Sequence, residues 1–338
     1  MRASTARLTN SPVRLSDITF PQVHRLVART RLAFIHLDNV LSFAKRDRDG
    51  RVDGYLAAYL PEEVVLVFLR KGEAANAATM HTAGRHVITI GEALKRMRSE
   101  MERGQLTYCA APLEQLAWMY QSCAVPLTMR LVDPLRPEAL FPVLLEEKVN
   151  GVLELIANGR VNYLRLDEGK FKHGYFSDRP DDQAVPRFIE GLFKPGPTGA
   201  PPLMAASVFP PVDDLPAQAP AALVATYREL YWRIVEAVEQ EFPTDARRRA
   251  QQALTVLRPT HHALTLLSVP RTNDIPDSVV GPDNLATALT EWTRHFLEPV
   301  EVMMPGTAPR VLHSATREHR YVLQSAGYYQ SLPWSVSW

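Results

Sequence analysis

The chain has 338 residues, enough for two or three domains, and its 46% hydrophobic and 22% charged content excludes a disordered class. A formal net charge of +1 leaves no overall basic field, so generic capture of nucleic acid or of an acidic membrane surface is not implied and would need a local patch. Two cysteines, Cys109 and Cys123, cannot make a disulfide scaffold, and no run approaches the roughly 20 apolar residues that cross a bilayer.

Residues Met1 to Pro12 carry no periodicity and are expected to be mobile; they also lack the apolar core of a signal peptide, so a cytoplasmic protein is expected. A helix is expected over Leu15–Val27, capped by Ser16 or Asp17, and a second apolar segment at helical spacing over Leu32–Ala44. The charged KRDRDGRVDG then makes a turn into three short strands, Gly54–Leu60, Val64–Arg70 and Glu73–Thr79. Ile90, Ala93, Leu94, Met97 and Met101 mark a helix closed by Gly104, QLTYCA (Gln105–Ala110) a returning strand, and Leu113–Gln121 a helix begun by Pro112.

The order then recurs. A helix over Pro137–Glu147 precedes strands at Gly151–Ala157, Val161–Asp167 and Lys170–Phe176, a short helix at Val185–Phe193 and a strand at Leu203–Val208. Aligning Gly151 with Gly54, an offset of 97, puts Val161 on Val64, Leu166 on Leu69, Gly169 on Gly72 and Leu203 on Leu106 without a gap. Asn158-Gly159 suits a tight hairpin, which needs positive φ at both central positions, and Lys71-Gly72 and Glu168-Gly169 supply a glycine at the second turn. Prolines bunch between Pro195 and Pro220 as a linker or proline-bounded connection. Helices follow at Ala221–Phe242, Ala246–Leu257 (capped by Thr244 or Asp245), His261–Leu267, Pro282–Val302 and Ala308–Tyr329, a four- or five-helix bundle.

The fold class expected is therefore α+β: two related small modules (helix, three-stranded antiparallel meander, helix, strand), then an α-helical bundle. The segments are a flexible 1–14, a first module 15–124, a second 125–210, a proline-rich linker 211–220 and the bundle 221–338.

No catalytic constellation emerges. His36-Leu-Asp38 stands without a second pair, and His261-His262 point to different sides of a helix. His313 and His319 are six apart and share no helical face. Ser207, Ser268 and Ser325 lack the Gly-x-Ser-x-Gly elbow, and no phosphate-binding Gly-x-x-x-x-Gly-Lys loop occurs. Cys109 and Cys123 sit in apolar context and read as buried and inert. What remains is surface chemistry. Lys170, Lys172 and His173 make the second module's third strand basic where the first has Glu73, Ala75 and Asn76; Arg247-Arg248-Arg249 could meet an anion or acidic partner; Trp334 and Trp338 lie on a polar tail that docks back or binds a partner.

The stretch from Pro137 to Phe176 resembles the PATAN (PatA N-terminal) domains of bacterial signalling proteins, a helix followed by Lys-x-Gly-x-Leu-x-Leu and a glycine-turned strand. Gly151, Leu153, Leu155, Leu164, Leu166, Gly169 and Phe171 stand at the corresponding places, with Lys148 one position earlier than the pattern's lysine and Gly174 where the family usually has alanine. Gly54, Leu56, Leu69, Gly72 and Ala77 match in the first module, which lacks the lysine before the glycine. The likeness covers roughly 136–193 and, more weakly, 34–121, and leaves the C-terminal helices unexplained. It implies a non-catalytic adaptor of the kind found beside response-regulator receivers and small-GTPase systems, although no such companion domain is evident here.

The function expected is thus an intracellular signalling or scaffold adaptor that binds protein partners, needs no cofactor or metal, and neither binds nucleic acid nor inserts in a membrane. The alternative is a small-molecule sensor with a pocket between the two modules. An enzyme of unrecognised type ranks last, since no acid/base pair or partnered nucleophile can be named.

Overall fold

The computed structural model describes residues 14–46, 52–133, 135–195, 202–243, 245–274 and 277–337, without the side chains of 43–46. The expected mobile N-terminus, the core of the charged turn, part of the proline run, Thr244 and Trp338 lie outside the described residues. The chain divides into two compact units, 1–216 and 217–338.

The first unit is mixed α and β. It runs through β1 (His24–Arg31), α1 (Leu37–Arg46), β2 (Gly54–Tyr59), β3 (Glu63–Arg70), β4 (Glu73–His81), β5 (Gly84–Ile88), α2 (Ile90–Ser99), β6 (Gln105–Ala110) and α3 (Leu113–Ala124). It continues with β7 (Thr128–Arg130), α4 (Leu140–Glu146), β8 (Gly151–Ala157), β9 (Arg160–Asp167), β10 (Lys170–Tyr175), α5 (Val185–Leu192) and β11 (Met204–Phe209). The strands form two antiparallel sheets, ordered β1-β6-β2-β3-β4-β5 and β10-β9-β8-β11-β7.

Several details recur 97 residues apart. Gly54 faces Leu69 across β2 and β3, and Gly151 faces Leu166 across β8 and β9. A bulge leaves Ala75 unpaired in β4 and Lys172 unpaired in β10. Both second turns have left-handed residues, Lys71-Gly72 at φ 50° and 75° and Glu168-Gly169 at 47° and 75°. Each turn is tied from outside: Asp53 Oδ1 accepts from the Lys71 amide (2.5 Å), and Asn150 Oδ1 from the Glu168 amide (2.8 Å). The gapless offset fails at the returning strand. Leu106 pairs with Ala58, whereas Leu155, 97 residues beyond Ala58, pairs with Ala206, so Leu203 precedes β11 and three residues have been added.

The first unit is layered. Leu37 of α1 and Ala93 and Met97 of α2 pack with Val65, Val67 and Leu69 on one face of the first sheet. Leu140 and Leu144 of α4 and Phe188 and Leu192 of α5 pack with Leu153, Leu155 and Leu164 on one face of the second. Between the sheets lies α3, whose Leu116, Trp118, Met119 and Cys123 are buried; it touches β3, β4 and β5 on one side, and Trp118 meets Tyr175 and Ser122 meets Tyr163 on the other.

Three expectations are corrected here. Leu15–Val27 is not a helix: a 3-10 turn at Leu15–Asp17 leads to β1, which is extended because it lies along the outer edge of β6. The strands β5 and β7 are added, each short and formed by pairing with β4 and β11. The expected last helix is broken into α10 (Thr307–Thr316), a 3-10 turn, α11 (Arg320–Ser325) and a further 3-10 turn at Tyr329–Ser331. The Thr316 hydroxyl donates back to the Leu312 carbonyl at 2.7 Å, which tightens the helix end, and Gly327 turns the chain at φ 71°.

The second unit, in its described residues, is helical: α6 (Ala221–Glu241), α7 (Ala246–Leu257), α8 (Leu264–Leu267), α9 (Pro282–Met303), α10 and α11. Its core centres on Trp292, stacked on Phe296 (5.0 Å between ring centres) and tilted against Tyr231 (4.1 Å). No helix of the described residues is long and apolar enough to cross a membrane.

Candidate functional site

The second sheet ends on β10, and among the described residues no strand pairs with its outer side. In the first sheet the corresponding β4 is an inner strand, because β5 lies along it from Ala77 to His81. The difference is local: 97 residues beyond Ala77–His81, only Gly174 and Tyr175 remain in the sheet before the chain turns at Asp178, whose φ is 57°. Lys170, Phe171, Lys172 and His173 are all exposed, Phe171 at 38%. Gly174 sits where a Cβ would come 2.4 Å from the Tyr163 carbonyl oxygen, so the alanine present at the equivalent Ala77 does not fit this backbone.

Lys172, at the bulge, reaches Asp167 at 3.0 Å across the turn. The bulge shifts the alternation, so His173 faces α3, with Nε2 3.1 Å from both carboxylate oxygens of Glu114 and its ring 5.3 Å from that of Trp118. Tyr175 donates to the same carboxylate at 2.6 Å; burial, and then that hydrogen bond, push its phenol above the ordinary value. Trp118 is fully buried, and its Nε1 has no partner among the described residues.

A charge pair missed by sequence reasoning lies deeper. Arg85 of β5 donates two hydrogen bonds, at 2.6 and 2.8 Å, to Glu154 of β8, joining the two sheets in a fully buried setting. Ser122 of α3 accepts from the same guanidinium at 3.3 Å and lies 3.4 Å from the Tyr163 hydroxyl. Burial by itself would lower the Arg85 guanidinium, and the Glu154 carboxylate more than offsets this, holding it above its ordinary value. Burial pushes the nearby Cys123 thiol up to about 11. Nothing in the sequence pairs a lone arginine with a lone glutamate 69 positions on; a charged residue in an otherwise apolar strand (GVLELIA) was the only signal. The pair, α3 and Tyr163 occupy the space between the sheets, and none of the three described clefts lies there.

The arginine run is spread over the start of α7. Arg247 pairs with Glu239 (2.8 Å), Arg248 with Asp245 (2.7 Å), and Arg249 lies 3.8 Å from Asp245 and from Met303 Sδ. Arg248 and Arg249 also line a cleft of about 320 Å³ with Gln252 and His295. Trp334 packs partly buried on the helical core together with Val336, and Trp338 is outside the described residues. His36 precedes α1 and Asp38 pairs with Arg98, while His261 and His262 lie off any helix. Among the described residues no group of three or more His, Cys, Asp or Glu is placed to hold a metal ion.

Comparison with family models, with curated proteins and with solved structures returned no match.

Proposed function

We propose that this chain is a non-catalytic intracellular adaptor, built on a duplicated PATAN-like meander, that holds an extended acidic segment of a partner protein along β10. The observation that carries the reading is the basic edge, along which no strand pairs among the described residues: Lys170 and Lys172 flank the exposed Phe171 on the outermost strand of the second sheet. An open edge offers a row of backbone donors and acceptors, and adding a strand satisfies them while side chains set the choice of partner. Lysines and a bulge disfavour pairing of one β10 with another, so the same features that protect the edge from self-association select an acidic strand.

Duplication is supported by the matched register, bulge and turn anchors at one offset, and divergence by the covering of β4 and not β10. The PATAN resemblance supports a place beside receiver or small-GTPase systems.

The test is photo-crosslinking from benzoylphenylalanine at position 171 in native lysate. A crosslinked protein bearing an acidic stretch at the crosslink, lost in the Lys170→Glu, Lys172→Glu double variant, is the expected result. Crosslinks that persist after charge reversal, or that join only copies of this chain, refute the reading.

A further inference from the structure

Two of the clefts occupy equivalent places in the two meanders. The first, about 660 Å³, is bounded by the β2–β3 turn and the end of β4 through Pro61, Glu63 and His81. The second, about 440 Å³, is bounded by the β8–β9 turn and the segment after β10 through Asn158, Arg160 and Asp178, each 97 residues on.

Their chemistry has diverged. In the first cleft the charge is answered within the chain: Glu63 accepts from Arg96 and from the Thr79 hydroxyl, both at 2.6 Å. Arg96 lies on α2, and the position 97 residues beyond it is Phe193, just past the end of α5. In the second cleft Arg160 therefore faces an apolar helix end, and among the described residues no carboxylate lies within ion-pair distance of it. The floor is apolar, from Phe188 and Leu192, both nearly fully buried, and the rim carries the amides of Asn158 and Gln183. Asp178 adds a carboxylate at the rim, held only loosely, by Thr19 at 3.4 Å and Arg25 at 4.0 Å. Gly191 faces open space: a Cβ there would meet nothing within 4 Å.

A half-enclosed cleft with one unanswered guanidinium, one weakly engaged carboxylate and an apolar floor is complementary to a small zwitterion with an apolar body. We infer that the cleft between α5 and the β8–β9 turn binds an apolar α-amino acid, its carboxylate on Arg160, its ammonium on Asp178 and its side chain over Phe188 and Leu192 beside Gly191. The site lies within the second meander, not between the two, and does not rest on the strand-edge reading. Arginine suits the carboxylate because its planar fork can donate two parallel hydrogen bonds, and the first cleft, with Glu63 in that position, cannot offer the same contact.

Isothermal titration of the full chain tests this, with L-leucine and L-phenylalanine against isoamylamine, which lacks the carboxylate, and 4-methylpentanoate, which lacks the ammonium. The expected result is saturable binding of the amino acids and of neither analogue, weakened about tenfold or more by Arg160→Gln, as loss of a charge-assisted contact predicts. Gly191→Leu fills the open space from a helical position and abolishes binding, while Glu63→Gln in the first cleft leaves it unchanged. Arg160→Gln and Gly191→Leu keep their melting temperature within about 4 °C, since substitutions at exposed positions cost little. No saturable heat from either amino acid at millimolar concentration, binding that survives Arg160→Gln or Gly191→Leu, or equal binding of either analogue overturns the assignment.

Discussion

Removing one member of the Arg85–Glu154 pair leaves the other charge buried and unmatched inside the first unit. The side chains are 5% and 2% exposed, joined by two hydrogen bonds, and the guanidinium has Ser122 as a further partner. Water cannot replace either partner there. Glu154→Gln leaves a buried guanidinium without its counter-charge and should cost about 3–5 kcal/mol, and Arg85→Met a similar amount. For a unit of this size that corresponds to a fall of roughly 6–20 °C in melting temperature. The double variant Arg85→Met, Glu154→Leu removes both charges together and should recover most of the loss, because well-packed apolar pairs often match buried ion pairs in stability. Scanning calorimetry of the full chain and of all three variants closes the cycle. A single-variant cost below about 1 kcal/mol would place the pair in contact with water, in the range of exposed ion pairs. Additive losses in the double variant would show that the two residues act independently, and either result refutes the reasoning.

Leu164→Asp puts a charge into the fully buried face of β9 and should prevent folding of the first unit, whereas Lys170→Glu with Lys172→Glu should leave the melt within about 0.5 kcal/mol of the parent; equal losses by thermal melt would contradict the placement of β10 at the edge. Gly169→Ala forces a side chain onto φ 75° with its Cβ 2.3 Å from the Leu144 carbonyl oxygen and should cost about 2–4 kcal/mol, while Gly191→Ala, in open helical space, should stabilise by about 0.5–1 kcal/mol; urea midpoints distinguish the two signs. Cys123 holds its proton more tightly folded than unfolded, its thiol being raised from 9.0 to about 11, so its contribution is complete below the unfolded value and lost as pH rises through the folded one. Stability should therefore fall between these two values by about 2–3 kcal/mol from this group alone, and Cys123→Ala should flatten that slope in urea titrations at stepped pH.

The features legible in the sequence are those set by near neighbours in the chain. The six meander strands follow from short apolar runs and from glycines where the turn needs positive φ, and α6 follows from its apolar spacing. The N-terminal segment shows the limit: Ile18, Val23, Leu26 and Val27 fit a helical period, yet β1 is extended because β6 offers unpaired backbone groups far along the chain. The same holds for β5 and β7, too short to announce themselves and stabilised by pairing alone.

For the candidate site, sequence comparison of the two meanders marked the basic strand at Lys170, Lys172 and His173, because that contrast is a matter of residue identity. It could not say that β10 is an edge while β4 is not, nor that Lys172 occupies a bulge that turns His173 toward Glu114. Composition, turn chemistry and the 97-residue offset were determined by the amino-acid order itself, since each depends on residues within a few positions or on simple identity. The meeting of Arg85 with Glu154, the burial of α3 between the sheets and the isolation of Arg160 in its cleft were decided only by the folded chain, because each arises from segments brought together by packing and leaves no periodic trace.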